Sequence, residues 1–160
     1  MYKLHDNAAI SSLVVSSGFC ITGGEDQLLR VWQMDFSEYI LEASNDGVVT
    51  SLTLSEDASQ VACGTSTGVL SILDLTNNNY RIIVRAHTEN VQQIAYHSYS
   101  NNMITLSSDL TIRLWDPEKL EQTYEFSYPN NDQCLCLAPN PLGLYFAAGF
   151  QSGVLRIFDI

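Results

Sequence analysis

A chain of 160 residues, 46% hydrophobic and 16% charged, is long enough to fold as one domain with a buried core. Its 18 acidic and 7 basic residues leave a formal net charge of −11, which repels nucleic-acid phosphates and anionic lipid headgroups. No apolar run approaches the roughly 20 residues that span a bilayer, and the first residues lack the apolar core of a secretory signal. We therefore expect a cytoplasmic chain without nucleic-acid or membrane partners.

Four short apolar segments recur along the chain at nearly constant spacing. Their fourth residues, spaced 41, 42 and 43 residues apart, are Trp32, Leu73, Trp115 and Phe158. Two further β-type runs precede each segment, and another follows each of the first three, at 39–43, 80–85 and 122–128. Turn-forming residues separate these runs, and no stretch has a helical period. The spacing predicts an internal repeat of four short strands.

A repeat of about 42 residues that ends near Trp-Asp resembles the WD-repeat β-propeller family. The third unit carries the resemblance most fully. In that family four side chains link into one buried network, and the matching residues here are His87, Thr105, Asp109 and Trp115. A buried imidazole and a buried indole N–H each need a hydrogen-bond partner. The resemblance implies an all-β propeller whose third blade is held by this network.

The other units match the family pattern less well. The first unit keeps Thr22, Asp26 and Trp32, but the repeat alignment slips at the histidine position, around His5 and Asp6. In the second unit the four positions hold Asn45, Cys63, Thr67 and Leu73, and in the fourth they hold Asn130, Ala148, Ser152 and Phe158. Because neither set can form the network, we expect these two units to be held by apolar packing alone.

The chain is predicted to be a single partial β-propeller over 1–160. We place its four blades at about 5–43, 44–86, 87–129 and 130–160, with the last blade lacking its outer strand. Residues 1–4 could supply that strand and latch the ends. Since WD-repeat propellers usually have more than four blades, we expect the chain to be part of a larger propeller.

No residue pattern points to an enzyme, a metal site or a cofactor. The three histidines cannot be spaced as a metal or catalytic set, and the four cysteines, Cys20, Cys63, Cys134 and Cys136, lie in β-type runs as core thiols. The stretch 23–26 follows a strand but lacks the phosphate-loop spacing, so we interpret it as a turn. We expect neither a cofactor nor a small-molecule substrate.

Two groups of side chains are candidates for contact with partners. The third strand of three units carries an arginine at the same point, at Arg30, Arg113 and Arg156. These arginines either have a structural role beside an aspartate of the neighbouring turn or form a cationic stripe that binds an acidic partner. Aromatic side chains are enriched at interface hot spots. Tyr99 and Tyr128 lie at predicted strand ends, and Phe150 replaces a small polar residue of the family pattern. We expect these three rings to be exposed and to bind a partner.

The fold resemblance implies a protein-interaction scaffold without catalysis. The stretch 32–43 and the degenerate second unit also resemble the C-terminal propeller region of a family of long centriole and cilium proteins. This second resemblance implies a role beside microtubules, in the cytoskeleton of a cilium or centriole, through contacts with other proteins. The alternative is a substrate-recognition or adaptor propeller of an enzyme complex such as a ubiquitin ligase.

Overall fold

The computed structural model describes residues 4–83, 85–100, 102–128 and 132–160. In these ranges the chain forms fifteen strands, and no helix long and apolar enough to cross a membrane is found among them. The strands are β1 Ile10–Val15, β2 Phe19–Gly24, β3 Leu28–Gln33, β4 Tyr39–Ser44, β5 Val49–Leu54, β6 Gln60–Thr65, β7 Leu70–Asp74, β8 Tyr80–Ile83, β9 Val91–His97, β10 Asn102–Ser107, β11 Thr111–Asp116, β12 Glu121–Ser127, β13 Cys134–Pro139, β14 Tyr145–Phe150 and β15 Leu155–Asp159.

The strands form four antiparallel sheets, each built from consecutive hairpins. The first three sheets run β1 to β4, β5 to β8 and β9 to β12, and the fourth contains β13 to β15. The predicted all-β architecture of four-stranded units, with the last unit lacking its outer strand, is confirmed. The predicted latch residues Tyr2 and Lys3 lie outside the described residues.

The turn between the second and third strands of each sheet requires a left-handed backbone residue. This residue is glycine in the second and fourth sheets, at Gly68 and Gly153, but Gln27 in the first sheet and Leu110 in the third. Gly68 also lies under the His87 carbonyl, where a Cβ would be 2.2 Å from the oxygen. In the first and third sheets an aspartate of the turn accepts a bond from the backbone two residues on, which favours the turn without glycine.

The sheets pack face to face in chain order, and their first strands lie side by side along one edge of the array. Three apolar clusters fill the boundaries between successive sheets. Their fully buried side chains include Ile21 and Leu29 between the first and second sheets, Leu70 and Met103 between the second and third, and Ile104 and Phe146 between the third and fourth. Burial of these faces drives the stacking.

Hydrogen bonds also link each first strand to the next one. The same position of three successive first strands carries a polar side chain that accepts a bond from the backbone N–H of the following sheet. These bonds join Ser12 to Leu52 at 3.1 Å, Ser51 to Ile94 at 2.9 Å and Gln93 to Leu137 at 2.9 Å. The Gln93 amide also donates to the Leu137 carbonyl at 2.9 Å, so the third and fourth sheets are joined twice.

The array has two rims, and the sites described below lie on one or the other. The network rim is where the first strands begin and where the turns between second and third strands lie. The hairpin rim is where the first strands end, at the turns 16–18, 55–59, 98–100 and 140–144.

Candidate protein-interaction site

The third sheet contains a buried chain of hydrogen bonds at the network rim. The Trp115 indole donates to the Thr105 hydroxyl at 2.9 Å, and that hydroxyl lies 2.7 Å from Nε2 of His87. Nδ1 of His87 lies 2.9 Å from the Asp109 carboxylate, which also accepts from the Thr111 hydroxyl at 2.6 Å. The structure therefore brings together all four residues that the family pattern singled out in this unit.

Burial determines the charge state of this network. Burial lowers the pKa of His87 below its ordinary value of 6.5, although the neighbouring Asp109 opposes this shift. Burial alone would raise the pKa of Asp109, but hydrogen bonds from Thr111 and the contact with His87 lower it. A neutral His87 that donates from Nδ1 to the Asp109 carboxylate and accepts at Nε2 from Thr105 satisfies every member. The network ties the segment before β9 to the turn before β11.

The first sheet contains the same arrangement, with its arginine closer to the aspartate than Arg113 is to Asp109 in the third sheet, where the distance is 4.0 Å. Nε2 of His5 lies 2.7 Å from the Thr22 hydroxyl, which accepts from the Trp32 indole at 2.8 Å, and Nδ1 lies 2.9 Å from Asp26. The Arg30 guanidinium donates to the same aspartate at 2.8 Å. His5, only 3% exposed, therefore occupies the position at which the repeat alignment slipped. The repeat spacing did not identify it, because the hairpin of β1 and β2 is shorter than the hairpin of β9 and β10.

The second sheet has a different buried polar cluster, so the expectation that apolar packing alone holds this unit is wrong. The Asn45 side-chain oxygen accepts from the Ser71 hydroxyl at 2.9 Å and the Tyr80 hydroxyl at 2.5 Å, and the Cys63 thiol lies 3.5 Å away. Burial raises the pKa of both Tyr80 and Cys63 to about 12, so both stay protonated as donors. Sequence reasoning missed Ser71 and Tyr80 because neither is at a family network position.

Two of the three proposed partner-binding aromatics are buried. Tyr128 is 7% exposed and Phe150 is 5% exposed, and their rings meet edge to face at 4.7 Å. The Arg156 guanidinium lies 4.7 Å from the centre of the Phe150 ring. The expectation that Tyr128 and Phe150 present exposed rings is therefore wrong. Among its described residues the fourth sheet has no buried polar network; its Ser152 hydroxyl donates to Asp132 in an exposed contact, and aromatic rings fill its boundary with the third sheet.

Tyr99 is the one aromatic of this group that reaches solvent. It lies on the hairpin rim, in the turn between β9 and β10, and it is 65% exposed. Tyr128 and Phe150 contact each other at the opposite rim, so the structure does not assemble the three rings into one surface. Tyr99 remains our candidate for partner contact.

The recurring arginines have partners within their own sheets. Arg30 pairs with Glu42 at 2.8 Å besides Asp26, and Arg113 pairs with Glu125 at 3.0 Å. These contacts favour a structural role for the arginines, and they argue against a cationic stripe that binds an acidic partner.

Comparison with known families identifies the fold. The β-propeller family described as nucleolar protein 10-like, N-terminal domain, matches residues 9–160. The chain belongs to this β-propeller family. The propeller also superposes on the solved WD40 repeats of RRP9 with a TM-score of 0.84 at 14% identity, covering 98% of this chain and 49% of that one. The blades described above thus have the fold of WD40 repeats, and they match about half of that solved chain.

Sequence relatives of the propeller are much longer proteins. The chain is 40% identical to WD repeat-containing protein 90 of Xenopus tropicalis over 95% of its length, and it spans 8% of that protein. It is 46% identical to Centriole proteome protein 16 of Chlamydomonas reinhardtii over 54% of its length, which is 4% of that protein. The identity to WD repeat-containing protein 90 confirms the predicted resemblance to a family of long proteins, which rested on the stretch 32–43 and the second unit.

Proposed function

We propose that this propeller is a non-catalytic interaction scaffold in a microtubule-based structure, the centriole or the cilium axoneme. The observation that carries the proposal is the 40% identity to WD repeat-containing protein 90 across 95% of the chain. The second relative, whose name assigns it to a centriole proteome, supports the same location.

The use of the buried polar residues supports a scaffold over an enzyme. His5 and His87 each have both ring nitrogens engaged, one to an aspartate and the other to a threonine. These bonds hold the loops of the network rim in fixed relative positions, as a docking surface requires. Both imidazoles and both threonine hydroxyls are buried, and each hydroxyl already accepts from a tryptophan indole, so none of these groups is open to a substrate.

The charge of the chain bears on how it would attach. A net charge of −11 opposes electrostatic docking on the acidic surface of tubulin. We therefore place the propeller beside microtubules through other proteins, in the cytoskeletal fraction, and not on the lattice itself.

An antibody raised against this segment tests the location. Detergent-extracted cytoskeleton and soluble fractions are immunoblotted, and the same cells are imaged with a centriole marker and an axoneme marker. We expect signal in the cytoskeletal pellet and coincidence with one of the markers. A soluble protein that co-purifies with a ubiquitin-ligase adaptor and avoids both markers would refute the proposal and favour the adaptor alternative.

A further inference from the structure

The third strand of the fourth sheet, β15, has a free edge within the described part of the chain. It pairs with β14 alone, whereas β3, β7 and β11 each pair with a fourth strand as well. Leu155 and Ile157 of β15 are exposed, while Arg156 and Phe158 contact the aromatic boundary with the third sheet. An apolar strand with unpaired backbone groups along one edge is a template for pairing with another strand.

Arg156 lies in the middle of this strand and contacts aromatic rings, with no carboxylate partner among the described residues. The equivalent arginine of the first and third sheets is paired with a glutamate directly opposite it on the fourth strand. Arg30 pairs with Glu42 at 2.8 Å, and Arg113 pairs with Glu125 at 3.0 Å. A strand beside β15 would complete this ion pair if it carried an acidic residue opposite Arg156.

The second sheet indicates that the acidic residue accompanies the arginine. Ser71 occupies the arginine position of β7, and the residue opposite it on β8 is Ile82. Among the three four-stranded sheets, the fourth strand thus carries a glutamate at this position only where the third strand carries an arginine. Because opposite charges on facing positions of a sheet attract, Arg156 favours a glutamate or an aspartate on any strand that covers its free edge.

Both glutamates are flanked by apolar residues, which lie opposite apolar residues of the third strand. The flanking residues are Leu41 and Ala43 in β4, and Tyr124 and Phe126 in β12. On β15 the corresponding positions hold Leu155 and Ile157, so a covering strand needs an apolar residue on each side of its acidic one. The recognition pattern is an apolar, an acidic and an apolar residue in an extended segment.

A cleft of about 350 Å³ lies beside the end of β15, on the side of the hairpin rim. Its apolar lining comes from Leu114, Tyr124 and Phe126 of the third sheet and from Ile160. An antiparallel strand beside β15 begins opposite the end of β15, so its first residues would pass this cleft. The cleft gives these residues an apolar surface on which to pack.

We propose that β15 binds an extended segment of a separate partner protein as an antiparallel fourth strand, with an acidic residue opposite Arg156 and an apolar residue on either side. In this mode backbone hydrogen bonds supply affinity and alternate side chains supply specificity. Residues 1–4 do not fit the pattern, because an extended Tyr2-Lys3-Leu4 would place a second cation opposite Arg156. The pattern defines the partner whichever cell structure contains the protein.

A peptide with the sequence of one of the chain's own fourth strands tests the edge directly. The probe is an acetylated and amidated copy of 122–127, and the comparison peptide has glutamine in place of its glutamate. Backbone amide resonances of the isotope-labelled chain are followed by NMR during the titration. We expect saturable shifts along β15, with at least fivefold weaker binding of the comparison peptide. Equal affinities of the two peptides, or shifts confined to β11, would overturn the proposal.

Charge reversal provides the matched control. We expect Arg156→Glu to weaken binding of the glutamate probe at least tenfold, and a peptide with lysine in place of the glutamate to restore it. Arg85→Glu changes the net charge equally at an exposed position before β9 and should leave the affinity within twofold. The rescue by lysine separates a lost ion pair from a misfolded sheet. Similar losses in both variants, or no rescue, would refute the pairing.

Cross-linking in cells tests the source of the strand. Leu155→p-benzoylphenylalanine is introduced into the full protein, with Leu135→p-benzoylphenylalanine, at an exposed position of β13, as the control. We expect position 155 to link to another protein through peptides with an acidic residue between apolar ones, and we expect Arg156→Glu to abolish the link. A link within the same polypeptide, a link to a second copy of the chain, or the same peptides from both positions would overturn the assignment to a partner.

Discussion

Gly23 of the first sheet lies directly against Val49 of the second. A Cβ added to Gly23 would be 2.1 Å from Cγ1 of Val49 and 2.8 Å from its Cβ. Neither atom is the end of a flexible side chain, so the sheets must separate to make room. We expect Gly23→Ala to reduce the free energy of unfolding by about 1–3 kcal/mol, as overpacking of a well-packed boundary does. Urea denaturation followed by tryptophan fluorescence measures this change.

The equivalent glycine of the fourth sheet is the control. A Cβ on Gly149 would have only the Cys136 sulfur within 4 Å, at 3.0 Å. We expect Gly149→Ala to leave the denaturation midpoint nearly unchanged. A loss as large as that of Gly23→Ala would mean that the cost arises within the strand and not at the boundary between sheets.

The Asp109 carboxylate is the acceptor that keeps the buried His87 satisfied. We expect Asp109→Ala to reduce stability by about 1–3 kcal/mol, because it leaves the imidazole N–H with only the Thr111 hydroxyl, 3.2 Å away, and deprives Thr111 of its acceptor. Asp132→Ala removes an acceptor from the exposed Ser152 contact in the fourth sheet and should cost less. Thermal denaturation of both variants compares them, and an unchanged midpoint for Asp109→Ala would contradict a role of the network in stability.

Stability should also fall on mild acidification. The pKa of His87 is lower in the folded chain than its ordinary value of 6.5, so below about pH 6.5 the unfolded chain binds this proton more readily than the folded one. We expect the urea midpoint to decrease from pH 7.5 to pH 5.5 and the decrease to be smaller in His87→Gln. A second loss follows below about pH 4, where the lowered pKa of Asp109 acts in the same direction. A midpoint that rises with acid would refute the assignment of a neutral His87.

Asn45 is the shared hydrogen-bond acceptor of the buried polar cluster in the second sheet. We expect Asn45→Ala to cost about 1–3 kcal/mol, because buried donors of Ser71 and Tyr80 lose their acceptor, and Tyr80→Phe to cost about 1 kcal/mol. Chemical denaturation of the two variants measures both values. If Asn45→Ala were neutral, apolar packing alone would account for this sheet after all.

Phe150 should behave as a core residue. Its ring packs against Tyr128 and under Arg156, so we expect Phe150→Ala to reduce stability by about 3–5 kcal/mol. Tyr99→Ala, at an exposed turn, should change stability by no more than about 0.5 kcal/mol. Circular dichroism melting distinguishes them, and a folded, stable Phe150→Ala variant would restore that ring as a candidate for partner contact.

The fold and the hydrogen-bond network of the third sheet could be predicted from the sequence, because each depends on a local pattern. The repeat is evident from the nearly constant spacing of Trp32, Leu73, Trp115 and Phe158. The third unit has every network residue at the position that the family pattern predicts. His5 was left undecided because the alignment slips before β1.

The second-sheet cluster and the burial of the aromatics depend on contacts that spacing does not report. Tyr80 reaches Asn45 from 35 positions away along the chain, across the sheet. Phe150 occupies a position where small polar residues were expected, and nothing in its neighbours along the chain reveals that Tyr128 covers it.

The fourth sheet contains fewer strands than each of the other three. It has three strands, and its last strand carries Leu155 and Ile157 at 67% exposure each. It joins the rest through the paired bonds of Gln93 to Leu137 and through an aromatic boundary. A sheet with fewer strands loses fewer hydrogen bonds when it opens, so within this chain we expect faster amide exchange in β13 to β15 than in the first three sheets.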